Sequence, residues 1–285
     1  MRVEEFPQPG GKVSASEFLV TSGGQAGNAA VAAARLGART SYIGALGDTN
    51  DDVANSIIKA FASEGIDVSR ALRVPGARSS VSIIMLDAAG EKMIATRRNQ
   101  GLSEAVPPDP AAAVADVDVV MLDNRYCNIS LPICLAAKAR GLPRVLDFDK
   151  PTPDDDPLFL ACTHVICSAD AIRASTGSQD LPAALVKLGE NYDGFLAATN
   201  GPEGVYWLAD GKVRHMDAFK VDVVDSLGAG DTFHGAFAVL LAETGDAVAA
   251  MRFASAAAAI KCTHFGGLIG AATRGEVDAF LQARA

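Results

Sequence analysis

Residues 225–236 read Asp-Ser-Leu-Gly-Ala-Gly-Asp-Thr-Phe-His-Gly-Ala. A Gly-Ala-Gly turn that runs into a helix leaves the first N–H groups of the helix without intrahelical partners, at the positive end of the helix dipole. The small residues Gly228, Ala229 and Gly230 let a phosphoryl group approach these N–H groups, and Asp231 adds a carboxylate at the same point. The stretch therefore predicts an anion hole beside an acid that accepts a proton from an alcohol attacking a phosphate.

An ordinary helix start is the alternative interpretation, in which Asp231 only caps the helix after a glycine-rich turn. His234, one turn further on, competes for the role of base, although a histidine on this face is more often packed or hydrogen-bonded than catalytic. Because Asp231 lies near a helix N-terminus, we expect its pKa not to be raised much, which would make it a weak base.

A second glycine-rich motif lies about two hundred residues earlier. Gly23-Gly24-Gln25-Ala26-Gly27-Asn28 opens an alanine-rich segment that stops at Gly37, as expected for a helix that ends at a C′ glycine. Asn28 falls in the first turn, where a short amide can both donate to and accept from a sugar hydroxyl. The motif predicts a sugar site formed by Gly23, Gly24, Gln25 and Asn28.

Together, the two motifs resemble the PfkB, or ribokinase-like, family of carbohydrate kinases. The N-terminal signature of that family is matched by Gly23, Gly24, Asn28, Gly37 and Gly47, and the C-terminal one by Asp225, Gly228, Ala229, Gly230, Asp231, Gly235 and Ala236. The resemblance extends from about Val3 to Leu281. It implies a single domain over residues 1–285 that transfers the γ-phosphoryl group of ATP to a sugar hydroxyl and requires Mg²⁺.

Composition and charge agree with this expectation. The chain has 285 residues, of which 49% are hydrophobic, enough for one large α/β domain with a buried core. A net charge of −9 without a cluster of Lys and Arg argues against nucleic acid or an anionic membrane as a partner. No apolar run has the length of a membrane span, and the first residues do not form a signal peptide, so we expect a cytoplasmic protein.

Short apolar runs alternate with helical periodicity along the chain. The predicted strands are Ser41–Ala45, Val117–Leu122, Arg144–Phe148, His164–Cys167 and Phe195–Thr199, and the predicted helices between them include Asp52–Glu64, Leu131–Arg140 and Leu181–Leu188. This succession predicts a doubly wound, mostly parallel sheet flanked by helices, with ligands bound beyond the carboxyl ends of the strands.

Two segments, Ser14–Thr21 and Ser79–Thr96, instead show the period of two that is typical of exposed strands, and the second turns at residues 87–90. The resemblance implies that residues of about 3–21 and 74–98 form a small β lid over the sugar, which is often shared in a homodimer. An extra surface hairpin is the alternative.

On the nucleotide side, the resemblance implies contacts with ATP at Ser168, Thr199, Gly201, Gly204, Gly228, Gly230, Ala258 and Cys262. It also assigns Asp225 to a monovalent-cation site, such as one for K⁺. An Asn-x-x-Glu that orders Mg²⁺ in many relatives is replaced by Ser168-Ala169-Asp170-Ala171, in which only Asp170 could bind the metal. Mg²⁺ should still be required, because it bridges the phosphate oxygens of ATP itself.

For the substrate, the C-terminal third most resembles sulfofructose kinases and, more distantly, ketohexokinases, which implies a ketose that could be anionic. Arg125, after the strand that ends at Leu122, could bind a sulfonate or phosphate with two donors, assisted by Arg97. A merely solvated arginine is the alternative for Arg125. The chain as a whole could instead be a nucleoside kinase of the same fold or a non-catalytic sugar or nucleotide sensor.

The N-terminus departs from the family pattern. Relatives begin with a core strand that carries a sugar-binding Asp, whereas Pro7-x-Pro9-Gly10 lies where they have already left that strand. We expect the native protein to have roughly 15 to 20 further residues before Met1, the length of one strand and its turn.

Overall fold

A computed structural model describes residues 1–88 and 91–284, apart from the side chain of Leu268. The strands are β1 (Arg2–Val3), β2 (Ala15–Glu17), β3 (Ala45–Leu46), β4 (Leu72–Arg73), β5 (Val81–Leu86), β6 (Lys92–Arg97), β7 (Val120–Asp123), β8 (Arg144–Phe148), β9 (His164–Ser168), β10 (Phe195–Thr199), β11 (Val205–Ala209) and β12 (Lys212–Met216). The helices are α1 (Gln25–Arg35), α2 (Asp52–Ser63), α3 (Pro110–Ala113), α4 (Cys127–Ala139), α5 (Pro157–Ala161), α6 (Ala169–Thr176), α7 (Leu181–Gly189), α8 (Ala229–Thr244), α9 (Ala247–Cys262) and α10 (Arg274–Gln282).

The main sheet has the order β12-β11-β10-β9-β8-β7. Strands β7 to β10 run parallel, while β11 and β12 are added antiparallel at one edge. The strands predicted at residues 144–148, 164–167 and 195–199 are confirmed, as is the mostly parallel α/β class.

Each central strand is buried on both faces, because successive side chains point to opposite sides of the sheet. One face presents the register neighbours Leu122, Leu146, Val165 and Leu196 to a core that includes α4 to α7. The other face presents Val145, Ile166 and Ala197 to residues of α8 and α9. The fold is therefore a sheet between two layers of helices.

The close approach of α1 and α8 requires a glycine. A Cβ atom at Gly235 would clash with the carbonyl oxygen of Ala29, so the two helices can lie this close only without a side chain there. This contact brings the first turns of α1 and α8 together, although they are about two hundred residues apart in the chain.

The strand predicted at Ser41–Ala45 is wrong as a member of the main sheet. Ser41 bridges Asp67, and β3 pairs in parallel with β4, so this segment runs beside residues 67–74 instead. The hydrophobic pattern identified an extended segment correctly but could not specify its partner. The helix predicted at Leu131–Arg140 begins earlier, at Cys127, so Pro132 lies inside it.

A separate four-stranded sheet has the order β2-β1-β5-β6 and contains the segments for which a lid was predicted. Strands β5 and β6 form an antiparallel hairpin from Val81↔Arg97 to Leu86↔Lys92. Of the predicted turn at residues 87–90, Ala89 and Gly90 lie outside the described residues. The role of this sheet as a lid stays a prediction. Within the described chain, none of the helices has both the length and the apolar character needed to cross a bilayer.

Candidate active site

Chemically useful side chains gather at the carboxyl edge of the main sheet. Asp123 ends β7, Asp147 lies near the end of β8, and Ser168 and Thr199 end β9 and β10 as direct register partners. The first turns of α1 and α8 meet this edge through Asn28 and Asp231. Parallel α/β sheets generally bind ligands at this edge, and a ligand site here stays a prediction for this chain.

The start of α8 has the shape of an anion site. Gly228 is the N-cap residue, with a left-handed backbone (φ 76°), and no side chain among the described residues caps the helix. The N–H group of Thr232 returns to the carbonyl oxygen of Gly228, so the helix is regular from its first turn. The N–H groups of Gly230 and Asp231 precede the first intrahelical bonds and are suited to bind an anion.

Asn28 and Asp231 meet across this corner. The Nδ2 of Asn28 donates to the Oδ2 of Asp231 over 2.5 Å. Gly228, and not Asp231, is the N-cap residue of α8, so the carboxylate of Asp231 is not the helix cap. The Oδ1 of Asn28 is buried and has no hydrogen-bond partner among the described residues. An unsatisfied buried acceptor is costly, so this atom is suited to accept a hydrogen bond from a ligand hydroxyl.

Behind this pair lies an acidic cluster that the sequence analysis missed. Asp147 is buried, accepts from the Nε2 of Gln25 (3.3 Å), and lies 3.6 Å from the Nε2 of His234. Burial and the neighbouring charges of Asp123 and Asp149 raise the pKa of Asp147 well above its ordinary value. The positions of these acids in the sequence could have revealed the cluster, because they stand at or just after the ends of buried parallel strands.

The expected pKa of Asp231 is wrong. Burial, reinforced by the negative charge of Asp147, raises the pKa of Asp231 to about 7 and outweighs the hydrogen bond from Asn28. The helix terminus does not compensate for the acidic surroundings, which come from strands distant in the sequence. An acid with this pKa is a considerably stronger base than an ordinary aspartate.

The ring of His234 is enclosed between two backbone carbonyl groups. Its Nδ1 lies 2.8 Å from the carbonyl oxygen of Gly230, and its Nε2 lies 3.2 Å from that of Ile166. The ring is buried, and burial lowers its pKa. These contacts leave Asp231 as the candidate base.

Arg125 lies at the site, but its guanidinium already has partners. One terminal nitrogen is 2.5 Å from the Oδ2 of Asp149, and the Nε donates to the Oε1 of Gln25. The charge of Arg125 is therefore balanced within the protein, and its predicted role as a ligand for an anionic sugar stays a prediction.

Arg97 lies on β6, where it donates to the carbonyl oxygen of Ser79 over 3.2 Å. It lines a cavity of about 660 Å³ between β5, β6 and the start of α2, and Asp231 does not line that cavity. Gly23 lies near the Oδ1 of Asn28, since a Cβ atom at Gly23 would be 4.0 Å from it. Gly24 is the N-cap residue of α1, with φ 88°.

The residues assigned to the nucleotide lie at the ends of β9 and β10, in the turn after β10, at the start of α8 and on α9. Ser168 caps α6 by accepting from the N–H of Ala171, and Thr199 leads into the turn that contains Gly201 and Gly204. Ala258 and Cys262 lie one turn apart on α9. The carbonyl oxygen of Cys262 accepts from the N–H groups of Val224 and Asp225, which ties the end of α9 to the segment before the anion site.

The two residues predicted to bind metal ions, Asp170 and Asp225, differ in their surroundings. The Asp170 carboxylate is fully exposed and pairs with Arg173 at 3.7 Å. Within the described residues, no group of three or more His, Cys, Asp or Glu side chains could hold a metal ion. Mg²⁺ commonly keeps its waters and binds substrate phosphates, so such a protein cage is not needed for it.

Asp225 does not fit the expected monovalent-cation site, because the ammonium group of Lys261 contacts both its carbonyl oxygen (2.6 Å) and its Oδ2 (3.7 Å). Burial opposes ionisation of Asp225, but the hydrogen bond from Leu227 and the charge of Lys261 outweigh it and lower the pKa of Asp225.

Comparison with known proteins shows to which family the chain is similar. Residues 1–274 match the model of the pfkB family carbohydrate kinases. The chain is 30% identical to the ribokinase of Haemophilus influenzae over 299 aligned positions, which cover 98% of this chain and 94% of that protein.

Two solved structures resemble the fold. A protein from Agrobacterium tumefaciens, described as a presumed ribokinase, has a TM-score of 0.94 at 37% identity, covering 99% of this chain and 94% of its own. The ribokinase of Arabidopsis thaliana complexed with ribose and ATP has a TM-score of 0.84 at 25% identity, with the same coverage of 99% and 94%.

Proposed function

The chain belongs to the PfkB family of carbohydrate kinases, and we propose that it phosphorylates a free sugar with Asp231 as the general base. Kinases of this family transfer a phosphoryl group from ATP to an alcohol group of a sugar. The observation that carries the proposal is the contact between Asn28 and Asp231, which joins the two motifs at the start of α8.

In the proposed mechanism, the reacting sugar hydroxyl donates its proton to Asp231. Asn28 orients that carboxylate through its Nδ2, and its unpartnered Oδ1 accepts a hydrogen bond from a second sugar hydroxyl. Because the pKa of Asp231 is about 7, the carboxylate is both substantially ionised at neutral pH and basic enough to take the proton as the phosphoryl group transfers.

The N–H groups at the start of α8 stabilise the transferring phosphoryl group. The turn at Gly228 leaves room for the phosphate, and the helix dipole favours the negative charge that develops there. Mg²⁺ would enter with the phosphates of ATP, without a set of protein ligands, and would neutralise part of their negative charge. Thr199, Gly201 and Gly204 would contact the ATP phosphates from the end of β10.

We favour a neutral sugar of the ribose type as the substrate. The similarity to ribokinases supports this choice. So does the balanced charge of Arg125, because an anionic substituent would have to displace the contact with Asp149. A ketose with a sulfonate or phosphate group bound by Arg125 and Arg97 is the second candidate, favoured only by the position of Arg125 beside the site.

The test is turnover by the purified protein and its Asp231→Asn variant, measured as ADP release. We expect kcat to fall by roughly 10²- to 10⁴-fold, the usual contribution of a general base, while ATP affinity measured by calorimetry changes little. Asp116→Asn, which alters a side chain that is 86% exposed, is the matched control and should retain full activity.

The same assay distinguishes the substrates. Ribose and deoxyribose should give a higher kcat/KM than neutral or anionic ketoses and nucleosides, and Arg125→Ala should not selectively impair an anionic sugar. Near-normal turnover by Asp231→Asn would exclude Asp231 as the base. A protein that binds sugar and ATP but releases no ADP would instead be a sensor.

We also propose that the four-stranded sheet covers the sugar and joins two copies of the chain. On one face its strands expose Val81, Ile83 and Met93, and residues Phe18 and Val20 beyond β2 are also exposed. An apolar patch of this kind usually marks an interface.

The use of ATP favours the cytoplasmic location expected from the sequence.

A further inference from the structure

Lys261 is a fully buried lysine beside the catalytic turn. Its side chain is 0% exposed, as is that of Asp225, and its Nζ lies 2.6 Å from the Asp225 carbonyl oxygen and 3.7 Å from the Asp225 Oδ2. Lysine is almost never buried in this way unless it is paired. The proposed reaction makes no use of this residue.

The pair joins three segments of the chain. The Oδ1 of Asp225 accepts from the N–H of Leu227 (2.8 Å), and its Oδ2 accepts from the N–H groups of Gly266 (3.0 Å) and Gly267 (3.2 Å). Lys261 lies near the end of α9. The ammonium group thus neutralises a carboxylate that holds both the turn before α8 and the loop after α9.

This network reaches the anion site. Leu227 directly precedes Gly228, and the carbonyl carbon of Gly267 lies 4.0 Å from the position a Cβ atom would take at Gly228. Removing the charge of Lys261 would leave the Asp225 carboxylate buried and unpaired, which is strongly unfavourable. The turn that presents the N–H groups of α8 would then lose its geometry.

We propose that the Lys261 ammonium group is a built-in substitute for a monovalent cation at Asp225. An ammonium group offers a single positive charge and contacts carbonyl and carboxylate oxygens, as K⁺ does. Lys261 is therefore a positioning residue for the anion site, and the protein has no requirement for K⁺. On this proposal, Lys261 takes the place of the exchangeable cation that was expected at Asp225.

The first experiment uses the unmodified protein in buffers that contain choline, Na⁺ or K⁺ at equal ionic strength. We expect the melting temperature to be the same in all three buffers. We also expect the same rate of ADP release in all three, and this second readout rests on the proposed kinase activity. Activation or thermal stabilisation specific to K⁺ would overturn the proposal. The melting temperature does not depend on the substrate, so a failure to find kinase activity leaves this readout intact.

The second experiment replaces the ammonium group. Lys261→Ala in choline should lower kcat by at least about tenfold and the melting temperature by about 5 °C or more, and K⁺ or NH₄⁺ should partly restore both because a small cation can enter the vacated space. Lys261→Met fills the space without the charge and should not be restored. If neither K⁺ nor NH₄⁺ restores the kcat or the melting temperature of a folded Lys261→Ala protein, the proposal that Lys261 replaces a cation is contradicted.

Lys187→Ala is the matched control, since the Nζ of Lys187 also donates to a backbone carbonyl oxygen, that of Thr176, at 2.7 Å. It should show no dependence on K⁺. If Lys261→Ala does not fold in choline, refolding it in K⁺ and in choline decides the question, because recovery only in K⁺ supports the proposal and recovery in neither opposes it.

Discussion

The proposed chemistry depends on one aspartate, Asp231, whose neighbours come from distant parts of the chain. Asp231 receives its hydrogen bond from Asn28 and feels the charge of Asp147 from β8. These surroundings explain why an acid at a helix N-terminus can still have a raised pKa: burial and a second acid outweigh the helix dipole.

The pH dependence follows from this pKa. Because Asp231 must be ionised to act as a base, kcat/KM should rise with pH, level off above about pH 7, and fall about tenfold for each unit below it. The measurement is kcat/KM for the sugar between about pH 5.5 and 8.5 at saturating MgATP. A flat profile would contradict the assignment.

Asp147→Asn tests the cause of the shift. The variant removes a negative charge that raises the pKa of Asp231, so the midpoint of the profile should move to lower pH. Titration of ATP would be the same in both proteins and cannot produce such a displacement. An unchanged midpoint would show that burial alone sets the pKa.

At the scale of the element, α8 combines a candidate anion site at its start with a packing surface along its length. Its N-cap residue Gly228 has φ 76°, and Gly245, which ends the helix, has φ 69°. Both positions are left-handed, but Gly228 is next to Asn28 and Asp231, whereas a Cβ atom at Gly245 would meet nothing within 4 Å. Substitutions at these two glycines therefore distinguish the effect of backbone strain from an effect on the candidate anion site.

Replacing each glycine by alanine distinguishes these effects. Both variants should lose about 1 to 2 kcal/mol of unfolding free energy, because alanine is strained in the left-handed region. Only Gly228→Ala should also lower kcat/KM, by about tenfold or more, because its methyl group restricts access of the phosphate to the helix start. Chemical denaturation and ADP release measure the two quantities; equal kinetic losses would argue against an anion site at Gly228.

At the scale of the whole molecule, the two larger sheets have different surfaces. The main sheet is covered by helices on both faces, whereas the four-stranded sheet leaves large apolar side chains in water. Ile83, which is 53% exposed, lies opposite Ala95 in the β5–β6 hairpin. An uncovered face of this kind favours a second copy as its partner.

We expect the protein to sediment with twice the mass of one chain, and Ile83→Glu to sediment as a monomer with a higher KM for the sugar. Burying a charge in an apolar interface is unfavourable, which is the reason for the expected dissociation. Val186→Glu, at a residue of α7 that is 44% exposed, is the control and should remain dimeric. A monomeric parent protein would exclude the dimer.

Local sequence was sufficient for the fold class and for the two motifs. Apolar runs such as Arg144–Phe148 and Phe195–Thr199 predicted strands correctly, and glycine-rich turns located the starts of α1 and α8. These features follow from backbone geometry and from the periodicity of burial within a few neighbouring residues, so they can be read without knowing the rest of the molecule.

Tertiary structure decided which of these parts meet and how they alter one another. It paired Ser41 with Asp67 outside the main sheet, placed Asp147 behind Asp231, and brought the ammonium group of Lys261 to Asp225. Strand partners and pKa values depend on groups that are far away in the chain, because burial and Coulomb interactions act through space. The raised pKa of Asp231 and the charge of Lys261 near the start of α8 could therefore be recognised only in the folded chain.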